Sequence, residues 1–177
     1  GGPLAVISGI ANSTGAYPNS QGTLLFSTYN GNAGGFERMR ITSGGLAIGG
    51  TGSANTLDDY EEGTWTPTMH SGGSVSTNAA TYTKVGRHVM AYCYATFTPT
   101  NNSDTFYIGG LPYNVVNNSH YYGGGSISFS SSVNTNDFTA PLNYPNNALV
   151  YFHKNDGDGN TVKNSQFGGG AVPLIFQ

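Results

Sequence analysis

"FERMRITSGGLAIGGTGSANTLDDYEEGTWTPTMH" runs from Phe36 to His70. Its first seven residues alternate in the period-2 manner of a strand. In a regular strand Glu37, Met39 and Ile41 share one face, and Phe36, Arg38 and Arg40 share the other. Residues 44–50, "GGLAIGG", read as a second, very short strand. The only helix-like words follow, "ANTLDDYEEGT". There Asn55 or Thr56 could cap a short turn that carries acids near its start and ends at Gly63. Four carboxylates, Asp58, Asp59, Glu61 and Glu62, fall within five residues, and the single tryptophan, Trp65, comes next. The stretch reads as the place where one kind of β structure stops and another begins.

On its N-terminal side "TLLFSTY" (23–29) pairs naturally with "FERMRIT" (36–42) across the glycine-rich loop "NGNAGG". Residues 1–56 are short strands and glycine turns. A segment this thin cannot bury a core of its own, so the expected solution is a core shared among identical chains, as in a fibrous β shaft. On the C-terminal side longer strands are expected at 64–69, 80–86, 88–98, 104–111, 121–131, 148–154 and 171–177. Gly, Pro, Asn and Asp turns separate them, the pattern of an all-β sandwich. In strand 88–98, Val89, Ala91, Cys93, Ala95 and Phe97 form one face; His88, Met90, Tyr92, Tyr94 and Thr96 form the other. Neither face is strongly polar. One suits a sandwich core, and the other a surface covered by a second subunit, with a carbohydrate platform as the competing use of its tyrosines.

Composition narrows the classes. Only 8% of residues are charged, net charge is −3, Gly numbers 27 and Tyr 12. Val, Ile, Leu and Phe make up 35 of the 177 residues, close to the border of disorder. The low net charge and 12% aromatic content oppose disorder, however. Six Lys and Arg cannot neutralise a phosphate track, so nucleic acid is not an expected partner. No apolar run is long enough to span a bilayer as a helix. The lone Cys93 forms no intrachain disulfide and reads as a small buried hydrophobe. The chain begins at Gly1 rather than Met, so a fragment or a trimmed product is expected.

The opening stretch resembles a junction found in tail fibres and related appendages of bacteriophages. There an "ERMRI…G…IG…" shaft leads into "LDDYEEGTWTP", which opens a C-terminal β-sandwich. "YTKVGRHVMAYCYATFT" is similar to that family's "YTKIGN-" strand pair, and "FYIGGLPYNV" to its "-I-GLPF" segment. The likeness covers Phe36 to the C-terminus and is specific through Tyr113. The second glycine of "AIGGTGS" departs from it, since such shafts more often follow glycine with threonine. The resemblance implies a homotrimer, a virion location outside the cell, attachment to the rest of the tail or fibre upstream, and a part in host recognition. The domain expectation is a trimeric β shaft over 1–56, an acidic neck over 57–63 and a jelly-roll-like sandwich head over 64–177.

On that reading twelve carboxylates gather near one axis. They would repel unless they point outward, bind cations or meet Arg38, Arg40 or Arg87. Salt bridges at the neck are the preferred use. Trp65 is expected to plug the underside of the head. With Met39, Ile41, Met90, Tyr92 and Tyr94, it makes up the expected trimer interface.

Other chemistry has thinner support. A glycan hydrolase wants two carboxylates facing each other across a cleft, about 5–10 Å apart; here the close pairs are neighbours on a connector, and no enzyme is expected. "NDGDGN" (155–160) places Asp156, Asp158 and Asn160 at calcium-loop spacing, but Thr161 replaces the required glycine and Phe167 the final glutamate. A hairpin turn explains it better. His70, His88, His120 and His153 show no metal-ligand spacing, although a threefold axis could gather copies of one of them. No phosphate-binding or dinucleotide pattern appears, and no cofactor is expected. Receptor contacts are assigned to loops 98–104, 112–122, 134–147 and 153–160, with Tyr113, Tyr121, Tyr122, Tyr144 and Asn146 foremost. The expected function is host attachment by weak multivalent recognition of a surface glycan or another receptor. A passive trimerisation cap is the first alternative, and a tailspike-type hydrolase the second.

Overall fold

The computed structural model describes residues 5–11, 22–29, 35–50, 52–130, 141–154 and 157–177. It is all-β, built from antiparallel sheets, with no α-helix among the described residues. The chain divides into two compact units. One is Gly1–Glu61 with Val85–Arg87; the other is Glu62–Lys84 with His88–Gln177.

The first unit is one five-stranded meander: β1 (Ala5–Ala11), β2 (Gly22–Tyr29), β3 (Gly35–Thr42), β4 (Gly45–Ile48) and β5 (Thr56–Leu57), adjacent in that order. Partners across antiparallel strands lie on the same face. Ile7, Phe26, Met39 and Ile48 therefore form one row, and Gly9, Leu24, Ile41, Leu46 and Leu57 a second row beside it. These two rows hold no polar side chain; Thr28 and Phe36, further along the strands, share their side of the sheet. That face is also uncovered, with Ile7 68% and Ile48 57% exposed. Among the described residues of this unit, Thr23 and Ala47 are the buried ones, and both lie on the opposite face.

A bulge in β3 corrects the simple alternation expected there. Phe26 faces Met39, but Ser27 faces Glu37, so Arg38 is an extra residue. The bulge moves Glu37 off the face of Met39 and Ile41 and onto the face of Arg40, which it grips through both carboxylate oxygens. Glu37 thereby leaves the side of Met39 and Ile41, while Arg38 reaches Thr28 at the far end of it. The helical turn expected over 55–63 is also corrected. A 3₁₀ turn occupies Ser53–Asn55, and the chain then extends through β5 and β6 (Tyr60–Thr64). Leu57 pairs with Leu46, and this cross-strand contact outweighs the weak capping signal.

The second unit has two five-stranded sheets. The first contains β12 (Ile127–Ser130), β15 (Val172–Phe176), β9 (His88–Pro99), β8 (Gly73–Val85) and β6 in that order. The second contains β11 (Gly123–Gly124), β13 (Leu142–Asn143), β14 (Val150–Tyr151), β10 (Tyr107–Gly109) and β7 (Thr68–Met69). One core joins them: Ala80, Cys93, Ala95, Phe97, Val172, Leu174 and Phe176 from the first, Ile108 and Val150 from the second, with Phe106, Phe152 and Val162 beside them. Phe106 anchors it, with ring centres of Phe152 at 5.4 Å, Phe97 at 6.2 Å and Phe167 at 4.7 Å.

Twice the chain changes sheets inside what the sequence presents as one strand. Between β6 and β7 it crosses at Trp65–Pro67, where proline lacks the N–H that a continuing ladder needs. Between β11 and β12 it crosses at Gly125, where a Cβ would stand 2.2 Å from the Gln177 carbonyl oxygen. Trp65, expected at a subunit interface, is instead buried in its own chain's core. Its indole N–H donates to the Tyr92 carbonyl at 3.1 Å, and its ring lies 6.4 Å from Phe176.

Candidate functional site

The acidic stretch is exposed throughout: Asp58, Asp59, Glu61 and Glu62 all face solvent. The Gly86 N–H donates to the Asp59 carbonyl at 2.7 Å, so the turn carrying Arg87 is tied by its backbone to this segment. Two of the arginines proposed as neck partners are engaged within β2 and β3. Arg40 holds Glu37, and this hydrogen bond draws the Glu37 carboxyl below its ordinary range. Arg38 donates from Nε to Thr28 Oγ1 at 2.7 Å and stacks over Phe36.

The interface candidates on β9 follow the expected alternation. Cys93, Ala95 and Phe97 are buried, whereas Met90 is 56% exposed and Tyr94 remains on the outer face. Phe129, Ile175 and Tyr94 lie side by side across β12, β15 and β9, so this outer face carries an apolar row. Burial pushes the Cys93 thiol up to about 12.

The receptor candidates separate into two places. Tyr113 packs against Tyr82 at 5.7 Å, with the Lys84 ammonium 5.5 Å from its ring centre. Tyr82 in turn lies over Gly63, where a Cβ would come within 2.7 Å of the ring. Tyr122 and Tyr144, by contrast, meet at 5.6 Å on the other sheet. Asn146 takes a left-handed φ of 56° in the adjoining turn. Its N–H donates to the Val115 carbonyl, and the Val115 N–H donates to the Asn147 carbonyl, so loops 112–122 and 144–147 are joined. Tyr121 is exposed beside Tyr122. Residues 134–140 of the third candidate loop lie outside the described residues, as does Asp156. Asp158 and Asn160 sit exposed on a hairpin closed by the His153–Thr161 bridge and the Lys154 N–H to Asn160 carbonyl bond. Among the described residues no three His, Cys, Asp or Glu side chains gather as a metal site.

Tyr122 and Tyr144 are one end of a longer array. Its rings run His70, Tyr107, Tyr151, Tyr144, Tyr122, with consecutive centres 5.8, 4.8, 4.7 and 5.6 Å apart. Ile108 and Val150 point into the core, so their neighbours Tyr107 and Tyr151, directly paired across β10 and β14, point outward. His153 flanks the array, its ring centre 6.1 Å from that of Tyr144. The hydrogen bonds fix roles. The Gly159 carbonyl can only accept, so His153 Nδ1 carries the proton in the 2.9 Å contact. In the neutral ring Nε2 then accepts from the Tyr144 hydroxyl at 3.1 Å. The Asn147 amide donates to the Tyr151 hydroxyl oxygen at 3.0 Å. Burial raises the Tyr151 phenol above its usual value, so it keeps its proton through neutral pH. Tyr107 and Tyr151 were legible in "TFYIGG" and "LVYFHK" as the polar-tipped members of an in–out alternation, although neither lies in a polar loop.

Comparison of the chain with protein-family models, curated proteins and solved structures gave no match.

Proposed function

We propose that this chain is the distal part of a homotrimeric virion appendage, a phage tail fibre or its receptor-binding tip, that attaches the particle to a host surface. Residues 1–56 form the shaft, 57–63 the neck and 64–177 the head. The observation that carries the reading is the uncovered apolar face of the meander, two rows from Ile7 to Leu57. A single-layer sheet with one greasy face needs a second layer over it, and copies of itself supply one. The outer row of Phe129, Ile175 and Tyr94 gives the head a further self-contact surface. The likeness of 36–113 to phage fibre junctions supports the virion setting. Three weak sites on one trimer then act together through effective concentration.

The test is adsorption of fluorescently labelled protein to a broad panel of bacterial cells. Binding to a subset of strains is expected, with loss when Ile41→Asp breaks the assembly. An assembled protein that adsorbs to no strain is a passive cap, and the attachment reading falls.

A further inference from the structure

We propose that the ring array His70–Tyr107–Tyr151–Tyr144–Tyr122 is a saccharide-binding platform, and that its ligand is a neutral oligosaccharide lying along the outer face of β14, β10 and β7. This deepens the attachment reading and rests on it for its biological setting.

Three features point to that ligand class. The first is length. Five rings follow one another at steps of 4.7 to 5.8 Å, so the surface is a track for a chain of sugar rings rather than a pocket for one small molecule. The second is paired hydrogen-bonding roles. With His153 neutral, Tyr144 donates its hydroxyl hydrogen to Nε2 and keeps oxygen lone pairs to accept with. Tyr151 accepts from Asn147 and keeps its own proton to give. The two ring centres are 4.7 Å apart, so the acceptor and the donor belong to neighbouring rings. Neighbouring sugar hydroxyls, each both donor and acceptor, match that pair, whereas a purely apolar partner would leave both groups unsatisfied. The third is charge. None of the five rings, nor Asn147 or the flanking His153, bears a formal charge with both histidines neutral, so these residues offer no ammonium or guanidinium to a uronate, sialate or phosphate.

The other sheet of the same unit provides the contrast. Its outer row is Phe129, Ile175 and Tyr94, apolar to its tips on two of three residues, and suits burial against protein. The ring array, its consecutive rings packed edge to face at 64° to 78°, combines aromatic carbon with polar tips, which suits contact with sugar C–H groups and bonding of their hydroxyls.

The experiment is titration of the intact protein with neutral hexasaccharides of glucose, mannose, galactose and N-acetylglucosamine, and with an oligouronate and sialyllactose as charged probes. Binding is read by saturation-transfer NMR and calorimetry. At least one neutral probe should bind, the charged probes should not, and Tyr122→Ala or Tyr107→Ala should each weaken binding by about tenfold. Tyr151→Phe, which keeps the ring and removes the donor, should weaken it too. Failure of every neutral probe, tighter binding of a charged one, or indifference to Tyr122→Ala and Tyr151→Phe would overturn the proposal. Adsorption to cells that survives both variants leaves attachment standing and removes this platform from it. Saccharide binding by a protein that adsorbs to no cell does the reverse.

Discussion

The meander of residues 5–57 and the two-sheet unit that follows use the same strands, turns and glycines, yet only one of them encloses its apolar residues. In the second unit Phe97, Phe106, Ile108, Val162 and Val172 are wholly or almost wholly removed from water. In the first, Ile7, Leu24, Ile41, Ile48 and Leu57 lie open on one face of a single layer. Strand formation and core formation are therefore separate achievements. A strand needs only alternation and a partner; a core needs a second layer, and among the described residues the second unit has one while the first is a single sheet. The meander is consistent with a structure completed by copies of itself.

The sharpest way to break that contrast is to charge the open face. Ile41→Asp combined with Ile48→Asp should convert an assembled protein to single chains, because each copy would bury unpaired carboxylates at the contact. The second unit should survive, and Cys93 reports on it. Its thiol, buried and raised to about 12, should stay inert to thiol reagents at pH 8 in both proteins and react only after unfolding. Reaction of Cys93 in the charged variant would show that the head does not stand alone.

Next in size is the core. Phe106→Ala removes the ring that Phe97, Phe152 and Phe167 pack around and should cost about 3–5 kcal/mol in urea denaturation. Asn164→Ala should cost about 2 kcal/mol. This asparagine is fully buried, and its amide N–H groups reach Asn102 Oδ1 at 2.9 Å and Ser71 Oγ at 3.2 Å. It ties the β7–β8 turn to the loop after β9. The smallest effect belongs to the Glu37–Arg40 pair, exposed enough to be weak. Its carboxyl is held below the usual range by the Arg40 hydrogen bond. Its contribution is thus complete above the unfolded carboxylate pKa and fades as pH falls through the lower folded value. Arg40→Gln should raise the Glu37 titration midpoint toward that of a free glutamate, as followed by carbon-13 NMR.

Much of this was legible residue by residue. The alternation of 88–98 told which side of β9 is core, and the short segments before residue 57 told of a sheet without an interior. What escaped reading has a common physical cause. The bulge at Arg38 depends on pairing with β2, not on the β3 sequence. The sheet changes at Pro67 and Gly125 depend on where the other sheet lies. The Asn164 network joins residues up to 93 positions apart, and the ring array draws on β10, β14, the segment after β13, and residues 70 and 122. Local pattern gives the face a side chain occupies; it does not say which distant side chain shares that face. Tyr113 and Tyr122 show this well, since both sit on loops rich in polar residues and the fold sends them to different surfaces.

The central claim is that the apolar face from Ile7 to Leu57 is closed by further copies of the chain. The mass of the native protein in dilute salt, by light scattering behind a sizing column, tests it most directly. The expected value is three times the 18.5 kDa of one chain. A stable, soluble species of 18.5 kDa with Ile41 and Ile48 still open to water would contradict it.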